Sequence, residues 1–532
     1  MTLNRMRTFS TRRDICLIFG LAVLVRTLAA LPQAQPNYMD AAYYLVGGQR
    51  LAQGFGFTDP YVWHYLDQPQ GLPQPSHLYW MPLPSILVAV SQSIFGVNYR
   101  AAQVPFVLLA ALLPVLAYLV TQRLSSVRRH AWLAALLTIF SPFYMPYWSV
   151  PESFAPFAVF GALALYWACA ATKWKWLIAG LCAGLAHLSR ADGLLLLLPM
   201  LLVQFKLHDP AGRRKISVPH LASFILLLLG YLLVMMPWFL RNLAVSDTLL
   251  SIAGSQTIWM CQYDELFAYN QKFDLAHLLG CGNLIGTRLN GVASGALHWL
   301  AEAGMIFLAP LIVIGLWRER GARLFQVALG YAVLLFAAMT LVFTFAGDRG
   351  GLFHSTGALL PFFYAAAPLG LDAAIVWVAH RRQTWNAAMA RQIFSAAVVM
   401  CVVLLSFFVY KGRVIGPDWS NPIWNQSDRV YVTIGQWLRE VSRRDRGEID
   451  PIVMVNNPPG FTYQTGLASI VVPYGAEADL LRAADQFGAT WLVLDANRPD
   501  PLAKLYARPG SEPRFMVRLT LGPALVLEIM PD

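Results

Sequence analysis

Residues Leu78–Phe95 read LYWMPLPSILVAVSQSIF, eighteen positions without one charged side chain. A stretch of ~18 or more apolar residues has the length of a membrane helix. Whether this one crosses sets the side on which every later loop lies. If it crosses, the loop RLSSVRRH, with Arg123, Arg128 and Arg129, falls outside and every later basic loop alternates wrongly. If it lies in the interface or re-enters, six segments fall inside: 1–13, 123–129, 172–175, 206–218, 318–323 and 378–391. They carry 4, 3, 2, 4, 3 and 3 Lys and Arg, the enrichment that cytoplasmic loops show. Pro82 and Pro84 also suit a broken surface segment better than a regular span.

Working outward, the spans expected are 14–31, 101–122, 130–148, 153–171, 176–189, 191–205, 219–240, 299–317, 324–345, 355–377 and 392–411, eleven in all. Of the 532 residues 57% are hydrophobic and only 13% charged, too few charges to cover a soluble surface. The first span follows four arginines, and Pro32-Gln33-Ala34-Gln35 is a poor cleavage site, so an uncleaved helix is expected there. The net charge of +11 is unevenly placed: residues 1–412 hold 28 basic and 15 acidic residues, the rest 12 and 14. The excess therefore belongs to membrane topology, and nucleic acid is not an expected partner.

The fold class expected is an α-helical polytopic membrane protein with a small C-terminal α/β domain. The transmembrane domain covers 1–411 and the extracytoplasmic domain 412–532. In the tail, β-rich runs (Ile452–Val455, Ile470–Val472, Trp491–Leu494) alternate with helical ones (Tyr431–Val441, Glu477–Gln486). The first outer loop, Pro32–Arg100, is about seventy residues long, and carries two prolines, Pro82 and Pro84, ahead of an apolar run.

The outward-facing charges form the short list for chemistry. Asp40, with Tyr38, Tyr43 and Tyr44 around it, has the chemistry of a general base; a helix N-cap ahead of Ala41–Gln53 is the plainer role. Glu152, in YWSVPESF, sits where a helix dipole would also favour it. Arg190 and Asp192 share the tight turn SRADG and have each other as partners. Arg349 lies among glycines in GDRGGLFHSTG, with His354 close behind. Arginine suits a phosphate at a membrane surface, and a snorkelling side chain is the alternative. His77, Tyr79 and Trp80 read as interface anchors. His64 is a weaker candidate, and Arg26 marks a polar contact inside the first span. Cys261 and Cys281 share one outer loop; a bridge and two free thiols are both open. No CxxC or His-Cys cluster suggests zinc.

Several runs together resemble a known family: DAAYYLVGGQRLAQGFGF (Asp40–Phe57), Phe95-Gly96, YRAAQVPFVLLAALLPVLAYLV, SRADGLLLLLP and PWFLRN (Pro237–Asn242). The chain is similar to the GT-C superfamily of membrane glycosyltransferases, in the branch of protein O-mannosyltransferases and lipid A aminoarabinose transferases. The resemblance implies sugar transfer from a polyprenyl-phosphate donor to a lipid, glycan or protein acceptor on the outer face of the cell membrane. It implies catalytic roles for Asp40 and Glu152. Arg349, His354 and Arg190 become candidates for the donor phosphate, and Tyr43, Tyr44 and His77 for substrate contact. Relatives carry an "RY"-type motif where this chain has Arg349-Gly350-Gly351. The first loop has no DxD pair, so the metal-dependent scheme of the oligosaccharyltransferase branch is not supported; no metal ligand and no cofactor are assigned, and dependence on a divalent metal stays open. Two rivals remain: a transporter or flippase, which favours polar groups mid-span and paired halves, and a membrane-anchored binding or assembly protein.

The basic-loop count predicts a cytoplasmic N-terminus and an extracytoplasmic C-terminus. A reporter active only in the cytoplasm, fused after Asp532, is expected to stay silent; activity there would overturn the arrangement.

Overall fold

The computed structural model describes residues 2–170, 172–205, 218–382, 384–427, 429–445 and 450–531. The expected inner segment 206–218 therefore lies, Val218 apart, outside the described residues. The chain divides into two compact units: Met1–Pro32 with Gln103–Leu240 and Ile285–Pro417, and Gln33–Ala102 with Arg241–Leu284 and Asp418–Asp532.

Among the described residues five helices are long and apolar enough to cross a membrane: Tyr99–Leu124, Leu221–Ser246, Arg323–Val342, Thr344–Ala379 and Ala387–Ile415. Shorter apolar helices run over Leu83–Phe95, Phe154–Trp167, Ala191–Val203 and Ala309–Arg318. Two expected spans differ in outline. The stretch 130–148 is helical only to Ile139, because Pro142 and Pro146 follow. The stretch 299–317 is two pieces. Leu284–His298 continues through Trp299–Ala303, the chain turns with positive φ at Met305 and Ile306, and a new helix starts at Ala309 with Pro310 in its first turn.

Arg26, inside the first helix, is fully buried. It donates to Thr138 O at 3.0 Å and lies 5.5 Å from the centre of the Trp148 ring. Those contacts give polar company to a charge that hydrocarbon alone would not hold.

In the second unit, Leu83–Phe95 is a helix of 13 residues. At 1.5 Å per residue it is about 20 Å long, short of the ~30 Å hydrocarbon layer. Pro82 stands at its N-cap, Pro84 in its first turn, and Gly96, at φ 89°, ends it. It packs on the helix Met39–Ala52, and the pair of glycines in YYLVGGQR permits the close approach. A Cβ on Gly48 would lie 2.4 Å from Cβ of Val88, and Ser85 Oγ donates to Tyr44 O at 2.9 Å.

Among the described residues eight strands form two sheets: β1 (Thr58–Asp59), β2 (Tyr61–Val62), β3 (Gln74–Pro75), β4 (Ile452–Val455), β5 (Ser469–Val471), β6 (Ala489–Leu494), β7 (Phe515–Leu521) and β8 (Ala524–Ile529). β1 and β3 pair alone; the larger sheet runs β2-β5-β4-β6-β8-β7. Its first three pairings are parallel and its last two antiparallel. Alternation along the strands feeds two cores. Val453, Val455, Trp491 and Val493 pack under the helix Arg429–Asp445 with Ile434 and Leu438. Met454, Leu492 and Leu494 pack under Glu477–Phe487 with Leu480, Ala483 and Phe487. The edge strand β2 comes from the first loop, and Tyr65 OH donates to Val471 O at 2.6 Å. The tail thus shares its compact unit with two loop segments instead of standing alone from residue 412.

Gly48→Val would force the two packed helices apart, a cost of about 1–3 kcal/mol for overpacking. A lowered melting temperature in detergent checks it. Gly71→Ala, where nothing lies within 4 Å of the added Cβ, is expected to leave melting unchanged.

Candidate functional site

In the helical unit the prolines of SPFYMPYWSVPES keep the chain irregular up to Ser153, and the next helix begins at Phe154. Glu152 sits just ahead of it with 1% exposure. Ser153 Oγ donates to Glu152 Oε1 at 2.6 Å. His354 arrives from the short helix Leu352–Thr356, after a kink in which Gly350 has φ +108°. Only a residue without Cβ takes that conformation at little cost.

The kink aims His354. Its Nδ1 lies 2.6 Å from Gly350 O, and a carbonyl only accepts, so Nδ1 carries a proton. Its Nε2 lies 3.2 Å from Glu152 Oε2, a close charge contact that is not aligned as a hydrogen bond. Both ring nitrogens thus lie close to oxygen atoms, Nδ1 within a hydrogen bond and Nε2 in a contact only. Phe154 stacks on the imidazole at 3.8 Å. Burial alone would raise the Glu152 carboxyl. The charge and contact of His354, with Ser153 and Arg190, outweigh it and hold the group below the ordinary carboxylate range.

Arg190 joins the same cluster from the end of the helix Trp174–Ser189. Its Nε donates to Asp192 Oδ1 and to Ser355 Oγ, each at 3.1 Å, and a terminal nitrogen lies 3.3 Å from Ser153 Oγ. Ser355 Oγ in turn donates to Asp192. The pairing of Arg190 with Asp192 expected from SRADG is present, but as part of a larger network. Arg349 is different. It occupies the kink with an exposed side chain.

In the second unit Asp40 is the second residue of the helix Met39–Ala52. The N-cap position belongs to Tyr38, which makes no side-chain cap, so the capping role weighed for Asp40 does not apply. A carboxylate in a first turn is still favoured by the helix dipole. Tyr43 lies one turn on, on the same face, and is 1% exposed. Its OH accepts from the His77 backbone N–H at 2.7 Å, and its ring meets Trp80 edge-on at 4.9 Å. Trp80 stacks flat on Trp63 at 3.9 Å.

His77 is also buried. Ser85 Oγ spends its proton on Tyr44 O, so it accepts from His77 Nε2, 3.0 Å away. Nδ1 then accepts from Ser76 Oγ at 2.7 Å. That is the neutral imidazole. Burial, reinforced by the charge of Arg241, pushes its pKa down to about 3. Tyr44 and His77 are thus joined through Ser85, Tyr43 bonds the His77 backbone directly, and His77 brings no positive charge.

The short list missed Asp59. It is 2% exposed with Oδ1 lacking a hydrogen bond, and burial pushes its carboxyl up to about 8. Only its place beside Pro60 in FTDPYVW marked it in the sequence, and that reads as an ordinary turn.

Residues 74–240 match the family model described as dolichyl-phosphate-mannose-protein mannosyltransferase. No curated protein matches the chain by sequence. Among solved structures it is similar to ArnT from Cupriavidus metallidurans, at 12% identity and a TM-score of 0.56, with 98% of each chain covered. The same enzyme bound to undecaprenyl phosphate gives 11%, 0.55 and 97% of each chain. The oligosaccharyltransferase AglB from Archaeoglobus fulgidus, in complex with an inhibitory peptide and a dolichol-phosphate, gives 12% and 0.52, covering 91% of this chain and 69% of that one. The likeness to these solved structures is one of fold, and the family model covers residues 74–240 of the chain.

His354→Ala would leave Glu152 buried without the neighbour that does most to lower its carboxyl, a loss of about 3 kcal/mol or more. A depressed carboxylate contributes stability above its unfolded value and loses it as pH falls through the folded one. The gap in melting temperature between variant and wild type is therefore expected to be wide at neutral pH and to narrow in acid, below the ordinary glutamate value of about 4.3. A gap independent of pH would contradict the pairing.

Proposed function

We propose that this protein is a GT-C membrane glycosyltransferase that moves a sugar from a polyprenyl-phosphate carrier to an acceptor on the extracytoplasmic face, inverting the anomeric carbon. The observation that carries the reading is the joined charge set of the helical unit: Glu152 on His354, with Arg190 between Ser153 and Ser355. The undecaprenyl phosphate of ArnT and the dolichol-phosphate of AglB are the class of carrier assigned here.

In the proposed reaction an acceptor hydroxyl or amine attacks the anomeric carbon, Asp40 takes its proton, and the lipid phosphate departs. A positioned base contributes typically ~10²–10⁴-fold. Arg190, His354 and the exposed Arg349 supply the positive charge that a leaving phosphate requires. Glu152 is the second acid, and its pairing orients the His354 ring. Tyr43, Tyr44 and His77 fix the helix that carries Asp40. The eleven-span arrangement, with both the charge set and the tail domain outside, belongs to the same proposal.

Asp40→Asn keeps the shape of the side chain and removes the basic carboxylate. Sugar transfer is expected to fall ~10²-fold or more, with melting temperature and membrane insertion unchanged. Glu152→Gln is its companion, with a smaller loss. Transfer by Asp40→Asn at near wild-type rate would remove Asp40 from the role of base.

A further inference from the structure

Cys261 and Cys281 lie twenty residues apart in one loop. The two are joined as a disulfide, with Cα atoms 5.6 Å apart. Two further donors converge on it. Glu265, 7% exposed, accepts from the Cys261 backbone N–H through Oε2 at 2.7 Å. Its other oxygen, Oε1, lies 3.1 Å from His277 Nε2. The donor atoms of Cys261, Glu265 and His277 all lie within 4.8 Å of one another, and Cys281 is bonded to the first of them.

The local folding explains the convergence. The chain reads Cys-x₃-Glu, eleven residues, then His-x₃-Cys. Glu265 sits in the short turn of helix Tyr263–Phe267. Asp274 caps the turn Leu275–Leu279 by accepting from His277 N–H at 2.9 Å, which sets the ring on the side of Glu265. Cys281 follows one turn beyond His277, and its Sγ lies 3.6 Å from His277 O. The His277 side chain is 33% exposed and that of Glu265 only 9%, so the group is open to solvent on one side and fixed on the other.

We propose that this loop is a redox-gated zinc site, in which the reduced Cys261 and Cys281 bind one Zn²⁺ together with His277 and Glu265. Two thiolates, an imidazole and a carboxylate match the donor types and tetrahedral number of a closed zinc site. Neighbouring donors in such a site are about 3.3–3.8 Å apart, which the Glu265–His277 pair already approaches. A disulfide holds its sulfurs about 2 Å apart, so reduction must let them separate before they bind. The step balances: a dithiol reductant gives two electrons and two protons to the S–S bond and becomes a disulfide itself. Zinc then displaces the two thiol protons as both sulfurs bind it. Spacing rules built on CxxC pass over this set because each sulfur is paired with a different partner four residues away.

The test uses the full-length protein in detergent, with Co²⁺ as the spectroscopic probe. Oxidised protein is expected to show no sulfur-to-cobalt charge-transfer band. Protein reduced with a dithiol and desalted anaerobically is expected to bind one Co²⁺, with that band and tetrahedral d–d bands, and to release it to Zn²⁺. Cys281→Ser leaves the other cysteines in place and is expected to weaken the charge-transfer band. His277→Ala and Glu265→Gln are each expected to lower affinity by more than the roughly 10–100-fold that loss of an outer partner costs. A reduced protein without the band, a band unchanged in Cys281→Ser, or affinity unchanged in both His277→Ala and Glu265→Gln would each overturn the site.

Discussion

A carboxylate with almost no solvent around it must be met by positive charge, or it takes up a proton. Glu152 is in that position, and much of the surrounding architecture of the helical unit answers it. The prolines of SPFYMPYWSVPES keep the chain out of a helix until Ser153, so the carboxylate enters beside the start of a helix. The Gly350 kink turns the ring of His354 toward it, and Phe154 holds that ring flat. Arg190 ties Ser153 to Ser355, and Asp192 balances Arg190. Removing one charge from such a network leaves another unpaired, so its members act as a unit.

The second unit is governed by close contact instead. Two glycines let the helix of Asp40 touch the helix Leu83–Phe95, and Ser85 then links Tyr44 to His77. Tyr43 reaches the same histidine through its backbone. None of these three contacts of the helix that carries Asp40 involves a charged side chain, and the neutral state of His77 follows from the direction in which Ser85 spends its proton.

The features legible in the sequence were the local ones. Pro82, Pro84 and Gly96 mark a helix too short to span, and β4, β5 and β6 fall on the β-rich runs of the tail because alternation is written residue by residue. Distant pairings were not legible. Glu152 and His354 are 202 residues apart, and no period links them. β2 is two residues long and has no alternation to detect; it is a strand only because β5 offers an edge. The break at Met305–Ile306 lies inside an apolar run whose composition reads as one helix. Asp40 seemed placed to cap a helix, yet the helix begins one residue earlier. Asp59 looked like a turn residue until its burial was known, and the Cys261–Glu265–His277 grouping depends on how two short turns face each other.

The donor class decides the proposed reaction, and turnover measures it directly. Purified wild-type protein, incubated with a panel of polyprenyl-phosphate sugars and an envelope extract as acceptor, is expected to release free polyprenyl phosphate from at least one of them, in step with the appearance of sugar on the acceptor. Intact lipid-linked sugar across the whole panel, from protein shown to be folded by its melting curve, would contradict it.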